Sequence, residues 1–155
     1  MKKVLIVEDE ILARLGLRQL VDWRKLELEL LPDATDGEEA LEMIRNSCPD
    51  IILLDLNIPK VSGLEILEFL KKEEMPTKVI VVSCQEEFDV VKKAMKLGAY
   101  DYLRKLNLSS DELENILEKC LVETEERITV HMQGIREIRY EEIVRDSRDI
   151  LAGAL

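Results

Sequence analysis

Acidic, hydroxyl and basic side chains recur at one kind of place in this sequence, directly after short apolar runs. Glu8 and Asp9 follow VLIV, and Asp55 follows IILL. Ser83 closes KVIVVS, and Lys105 closes YDYLRK. If each run is a strand of one parallel sheet, all of these side chains reach the same edge of it.

Carboxylates brought together in this way repel one another and raise one another's pKa unless a cation lies among them. Oxygen ligands without His or Cys select a hard ion, and Mg²⁺ fits this set best. Lys105 offers a point charge for a phosphate oxygen, and Ser83 offers a hydroxyl donor. A carboxylate beside Mg²⁺ and a lysine can attack phosphorus and form an acyl phosphate, so the pattern favours phosphoryl transfer to one of these acids.

Each of these residues also has a local explanation. An acid after a strand, such as Asp9, is often a helix N-cap or a turn residue. Ser83 alone is typical of a local cap, and Lys105 alone of a solvated surface lysine. Asp55 is harder to explain locally, because apolar residues flank it on both sides. The functional interpretation depends on all four residues sharing one structural position.

Apolar runs and helical patterns alternate along the chain, which predicts parallel strands joined by helical crossovers. Pro32 ends the second run and favours an edge strand there. We therefore expect an α/β fold over residues 1–121, a doubly wound five-stranded parallel sheet of order 2-1-3-4-5, with the crevice between strands 1 and 3. The predicted strands cover residues 4–7, 26–31, 51–54, 78–83 and 100–105. The predicted helices cover residues 11–21, 36–47, 63–73, 87–98 and 109–121.

Composition excludes several classes of function. A net charge of −11 opposes binding of nucleic acid by this chain itself and adhesion to anionic lipid. No apolar run approaches the length of a membrane span, and the start is too short in apolar residues for a signal peptide. Three scattered cysteines without a CxxC pair indicate reduced thiols in a cytoplasm. A single His makes a zinc site a poor expectation.

The sequence closely resembles the receiver domains of bacterial two-component response regulators, which have a flavodoxin-like fold. The matching segments are VLIVEDE, PDIILLDLNIPKVSG and VIVVSCQEEFDVVKKAMKLGAYDYLRK, in the family's order and at its intervals. The resemblance covers residues 1–121.

This resemblance implies a role for each site residue. Asp55 would accept the phosphoryl group from a phosphohistidine of a sensor histidine kinase. Asp9 would bind Mg²⁺ directly, Glu8 would help through water, and Asn57 would give its backbone carbonyl to the metal. Lys105 would pair with the phosphate. The domain would catalyse only its own phosphorylation and dephosphorylation and would not otherwise be an enzyme.

The resemblance also implies a switch. Ser83 would move toward the phosphoryl group and Tyr102 would fill the vacated space, so that the surface of helix 4, strand 5 and helix 5 changes shape. A half-buried strand aromatic is the local alternative for Tyr102. Cys84 and Asn57 occupy positions that tune dephosphorylation in such proteins.

Two departures from the family pattern affect the site. Glu8–Asp9 replaces the usual pair of aspartates, and the longer Glu8 is compatible with a role through water. Leu106 stands where the family commonly has a proline after the lysine. We expect either a trans Lys105–Leu106 bond with a repositioned loop or a strained cis bond.

Residues 122–155 exceed what a receiver needs and are rich in charge and helix formers. A weak heptad of Leu121, Ile128 and Ile135 favours a dimerising stalk, and Gly134 with polar companion positions favours a solvated helical linker. We keep both, so a homodimer is one expectation. The segment AYDYLRKLNLSSDEL resembles receivers fused to AraC-type DNA-binding domains. In a longer regulator the output would be transcription, although this chain has no helix-turn-helix and no basic patch.

Two other functions fit parts of the pattern. A phosphohydrolase with an aspartyl-phosphate would need a second acid two residues after Asp55, where this chain has Asn57. A degenerate receiver would be a binding module that no longer takes phosphate. The altered segment after Lys105 permits it. The presence of four residues argues against it: Asp9, Asp55, Ser83 and Lys105.

Overall fold

The structure is a computed structural model that describes residues 1–84 and 87–123. The chain divides into two compact units, Met1–Ile116 and Leu117–Leu155. The first unit contains every strand named below. Of the second, residues 117–123 are described, and they are helical.

Five strands form one parallel sheet of order β2-β1-β3-β4-β5. They are β1 (Lys2–Val7), β2 (Leu28–Leu30), β3 (Ile51–Leu54), β4 (Lys78–Ser83) and β5 (Asp101–Arg104). The predicted fold class and strand order are confirmed, including the edge position of the strand before Pro32. Residues 51–54 are buried throughout, as expected for a strand covered by helices on both faces.

Within the described residues, four helices connect successive strands, and a fifth follows the last strand. They are α1 (Ile11–Leu20), α2 (Gly37–Ser47), α3 (Gly63–Lys72) and α4 (Phe88–Lys96), and a fifth, α5, is described over residues 110–123. Side-chain caps mark the starts of α3 and α5: Ser62 and Glu65 form a capping box at α3, and the Ser109 hydroxyl accepts from the Glu112 backbone N–H at 3.1 Å. These caps set where the helices after β3 and β5 begin, close to the sheet edge.

The sequence pattern misjudges two elements. The alternating run at 26–31 gives a strand of only three residues, because residues 22–27 form turns in which Glu27 has a positive φ of 57°. On α1, Ile11, Leu12 and Leu15 are exposed and Leu17 is buried, although their spacing suggested an inward apolar face. Helical periodicity identified this helix without identifying its buried side.

Two further expectations concern the C-terminal segment and the membrane. The stalk or linker over 122–155, with its heptad residues Ile128 and Ile135, lies outside the described residues after position 123, and the boundary at 121 remains a prediction. Within residues 1–84 and 87–123, no helix has both the length and the apolar character needed to cross a bilayer.

Candidate functional site

The register of the central strands brings the candidate residues together. Val7 of β1 pairs with Leu54 of β3, so the residues that follow both strands emerge side by side. The Asp55 N–H donates to the Val7 carbonyl at 3.0 Å, and the Lys105 N–H donates to the Ser83 carbonyl at 3.1 Å. The site therefore lies at the carboxyl edge of the sheet, at the predicted change of strand order.

Asp55 is the centre of the site and is only 5% exposed. The Ser83 hydroxyl donates to Oδ1 of Asp55 at 3.0 Å, and the Asn57 backbone N–H donates to the same oxygen at 3.1 Å. The Lys105 ammonium donates to Oδ2 at 3.0 Å. Both oxygens of the carboxylate are thus held by donors from β4 and from the segments after β3 and β5.

Glu8 is more deeply buried, at 1% exposure. Lys105 Nζ lies 2.6 Å from its Oε1, in a short ion pair. Its Oε2 is buried and has no hydrogen-bond partner within the described part of the chain. A buried acceptor without a partner is costly, so this oxygen is available to accept from a water bound to a cation.

Glu8, Asp9 and Asp55 form an acidic cluster in which one oxygen from each residue lies within 4.8 Å of the others. Glu8 and Asp55 are buried, whereas Asp9 is exposed and faces the approach from solvent. An all-oxygen donor set of this size, with one buried oxygen unsatisfied, fits a hard divalent cation such as Mg²⁺.

The pKa values of Glu8 and Asp55 are shifted in opposite directions. Burial, and next the neighbouring Asp55, raises the pKa of Glu8 to about 8. Burial acts in the same direction on Asp55, but the Glu8 side chain, the Asn57 N–H and Lys105 outweigh it and lower the pKa of Asp55. Burial alone would lower the pKa of Lys105, but its two carboxylate partners raise it. Of these two carboxyl groups, Glu8 therefore holds a proton more tightly than Asp55.

The loop that carries Asp55 is held at close range by two helix starts. The Gly63 N–H donates to the Leu56 carbonyl at 3.1 Å, and the Gly37 N–H donates to the Pro59 carbonyl at 3.1 Å. A Cβ at Gly63 would lie 2.6 Å from the Leu56 Cα and 2.9 Å from the Asp55 carbonyl oxygen. Only glycine permits this approach, so the start of α3 helps to fix the loop after β3.

The remaining predicted residues lie around this centre. The Tyr102 hydroxyl donates to the Ser83 carbonyl at 3.4 Å, and the tyrosine is half-buried. Asn57 and Cys84 are exposed at the rim. The described residues contain no cis peptide bond, so Lys105–Leu106 is trans, and the Lys105 ammonium nevertheless reaches both carboxylates.

Arg14 was not predicted from the sequence. Its Nη1 donates to the backbone carbonyls of Glu8 at 3.1 Å and Asp9 at 3.2 Å. The available signal was an arginine one turn into the helix that follows the acidic segment. Sequence spacing shows which side chains can meet on a helix, but it does not show which backbone carbonyls an arginine will reach. The sequence therefore does not distinguish this arginine from a solvated one.

Comparisons with known proteins agree with one another. Residues 4–118 match the family model described as the response regulator receiver domain. An uncharacterized response regulatory protein of Staphylococcus epidermidis is 33% identical over 118 residues, which are 76% of this chain and 46% of that protein. The uncharacterized transcriptional regulatory protein YesN of Bacillus subtilis is 30% identical over 141 residues, which are 91% of this chain and 38% of that protein.

A solved structure is similar as well. The receiver domain of AraT, a response regulator from Geobacillus stearothermophilus, superposes with a TM-score of 0.74 at 31% identity, over 81% of this chain and 97% of that one. The chain thus spans less than half the length of these two curated relatives and nearly all of this solved domain.

Proposed function

The chain belongs to the response regulator receiver domain family, a family of signalling domains, and on this premise we propose that Asp55 accepts a phosphoryl group from a phosphohistidine of a sensor histidine kinase. The observation that carries the proposal is the convergence on Asp55 of the Ser83 hydroxyl and the Lys105 ammonium, each at 3.0 Å. A carboxylate oxygen of Asp55 attacks phosphorus, and the P–N bond to the imidazole breaks. The bonding electron pair stays on the imidazole nitrogen, which then takes a proton from water.

The neighbouring side chains support this transfer by position and charge. Asp55 is the nucleophile, and its lowered pKa keeps it ionised at neutral pH. Lys105 moves with the negative charge from the carboxylate to a phosphoryl oxygen, and Ser83 donates to another. Both donors contact Asp55 before the reaction, at 3.0 Å each, so they need to shift only from the carboxylate to the adjacent phosphoryl oxygens.

Mg²⁺ is the cofactor that the acidic cluster would hold. Asp9 and Asp55 would ligate it through carboxylate oxygens, Asn57 through its backbone carbonyl, and Glu8 through water. When bound, the ion neutralises charge on the phosphoryl group and on the acids.

The switch follows from the contacts of Ser83. Its hydroxyl is bonded to Asp55 and its carbonyl accepts from the Tyr102 hydroxyl, so a displacement of Ser83 toward the phosphoryl group alters the support of Tyr102. The surface that responds is formed by α4, β5 and the start of α5.

In the intact regulator we assign the output to DNA-binding control of transcription by a segment beyond this chain. This chain itself carries a net charge of −11 and would not bind nucleic acid directly or attach to a membrane. Exposed thiols at Cys48 and Cys84 are compatible with a reducing cytoplasm.

Intact mass spectrometry tests the phosphoacceptor role. The protein is incubated with acetyl phosphate and Mg²⁺, alongside Asp55→Asn and a sample with EDTA. One added phosphoryl group is expected in the wild type and none in the two controls. Steady release of phosphate at high turnover would indicate a phosphohydrolase instead. No adduct in the wild type, with no response to beryllofluoride, would indicate a binding module.

A homodimer is the second partner that we propose, formed through residues 122–155. Sedimentation of residues 1–155 against residues 1–121 tests it, with stronger self-association expected for the longer chain. Equal behaviour of the two would remove the dimer.

A further inference from the structure

The acidic segment between β1 and α1 is held from behind by an arginine of the following helix. Arg14 Nη1 donates to the carbonyl oxygens of both Glu8 and Asp9, at 3.1 and 3.2 Å. These two carbonyls belong to the peptide planes on either side of the Asp9 Cα. Because each peptide is planar, fixing both carbonyls fixes the two backbone dihedral angles of Asp9.

That constraint matters most for Asp9. Glu8 has a second restraint, because its side chain is buried and paired with Lys105 at 2.6 Å. Asp9 is the exposed member of the acidic cluster. The Cα–Cβ direction from which its carboxylate reaches the cluster is set by its backbone, which Arg14 contacts on both sides.

Arg14 is itself held by Asp33, which follows β2. Its Nε lies 3.9 Å from Oδ2 of Asp33, and both side chains are largely buried, at 18% and 16% exposure. Arg18 donates to Oδ1 of the same carboxylate at 2.7 Å. One carboxylate thus forms a long ion pair with Arg14 and a hydrogen-bonded one with Arg18. Of these two arginines, Arg14 is the one that donates to the backbone of the acidic segment.

The position of Asp33 is set by the sheet. The Ala34 N–H donates to the Ile6 carbonyl at 2.9 Å, and the Glu8 N–H donates to the Ala34 carbonyl at 3.0 Å. Asp33 therefore lies beside the end of β1, where the acidic segment begins. The resulting series of contacts runs from the sheet through Asp33 and Arg14 to the backbone of Asp9.

We infer that Arg14, held by Asp33, is a positioning residue that orients Asp9 for binding of the divalent cation. This inference rests on the proposed Mg²⁺ site. Both hydrogen bonds of Arg14 to the acidic segment go to backbone carbonyls and not to carboxylates. Arg14 therefore acts on Asp9 through backbone geometry. Groups that orient metal ligands in this way typically contribute 10- to 100-fold to metal affinity.

The test is direct Mg²⁺ binding by the unphosphorylated full chain, followed by the shifts of backbone amide signals during a Mg²⁺ titration. Arg14→Ala is expected to raise the dissociation constant by about 10-fold. Arg14→Lys should recover part of this loss, because an ammonium can donate to the carbonyls but lacks the Nε that faces Asp33. Arg18→Ala is the matched control: it removes the closer partner of Asp33 and leaves the bonds to Glu8 and Asp9, so its dissociation constant should stay near that of the wild type.

A second titration measures the rate of phosphorylation by acetyl phosphate against Mg²⁺ concentration. Arg14→Ala should need more Mg²⁺ for half-maximal rate while approaching the wild-type rate at saturation, a split that general destabilisation would not produce. Three results would overturn the inference: an unchanged Mg²⁺ dissociation constant in Arg14→Ala, an equal loss in Arg18→Ala, or no Mg²⁺ binding by the wild type. A wild type that binds Mg²⁺ with the expected variant pattern but takes no phosphoryl group would uphold the role of Arg14 and refute the proposed function.

Discussion

The Ser83 hydroxyl donates to Oδ1 of Asp55 at 3.0 Å, and both side chains are buried. The same serine accepts the Tyr102 hydroxyl at its carbonyl oxygen, at 3.4 Å. One residue at the end of β4 therefore contacts both the proposed phosphoacceptor and the proposed switch aromatic. In the proposed switch, a change at Asp55 would reach Tyr102 through this serine.

Substitutions at Ser83 test the contribution of its hydroxyl to phosphorylation. We predict that Ser83→Ala still takes a phosphoryl group but reacts with acetyl phosphate about 10-fold more slowly, because one donor to the developing charge is lost. Ser83→Thr keeps the hydroxyl and should react at close to the wild-type rate. Adduct formation over time by intact mass measures this, and equal rates in all three proteins would contradict it.

Lys105 supplies the ammonium that contacts both buried carboxylates. Lys105→Ala should lower the rate of phosphorylation about 100-fold, as expected when a preorganised charged donor is removed from a water-poor site. Lys60→Ala is the control, since Lys60 is 56% exposed and pairs with Asp36 outside the acidic cluster. A similar rate for Lys105→Ala and the wild type would show that this ammonium is not required.

The raised pKa of Glu8 predicts how stability depends on pH without metal. A carboxyl with a higher pKa in the folded chain stabilises the fold while it is protonated. Its contribution is complete below the ordinary value of 4.5 and is lost as pH rises through about 8. In EDTA, the urea concentration at the unfolding midpoint should therefore fall between pH 6 and pH 9.

Asp55 acts in the opposite sense, since its lowered pKa gives stability that is present above its ordinary value of 3.8 and lost at lower pH. The pH range in which Asp55 titrates lies below pH 3.8 and therefore below the measured range of pH 6 to pH 9. Glu8→Gln is therefore a sufficient control. The variant should lose the fall between pH 6 and pH 9, and an identical fall in both proteins would assign it to other groups.

Two glycines provide a matched test of packing at the site. Gly63→Ala should destabilise the fold by about 1–3 kcal/mol and slow phosphorylation, because its Cβ would collide with the backbone of Asp55 and Leu56. Gly16→Ala, in the middle of α1, has nothing within 4 Å of the added Cβ and should stabilise by about 1 kcal/mol. Urea unfolding of both variants measures the difference. A Gly63→Ala variant as stable as the wild type, or a Gly16→Ala variant less stable than it, would contradict the described geometry.

Sequence reasoning was most successful where the pattern itself carries the physical constraint. The fully apolar run before Asp55 is a local signal, and the structure has a buried strand there, as expected. The strand order followed from alternation and from Pro32. Together these were enough to predict that Asp55, Ser83 and Lys105 would meet.

What could not be predicted depends on contacts between distant segments. The ion pair of Lys105 with Glu8 joins residues 97 positions apart, and no pattern in either segment indicates it. Arg14 donates to backbone carbonyls. Every residue has such a carbonyl, so the sequence does not indicate which ones an arginine contacts. The exposure of Leu12 on α1 likewise depends on which face the sheet covers, and periodicity alone does not give that face.

The most direct test of the central claim is the location of the phosphoryl group. After reaction with acetyl phosphate and Mg²⁺, borohydride reduction converts a phosphorylated aspartate to homoserine, which peptide mass spectrometry then identifies. We predict homoserine at position 55 alone, and none when EDTA is present. Homoserine at position 9, or a phosphorylated protein with an intact aspartate at position 55, would contradict the account.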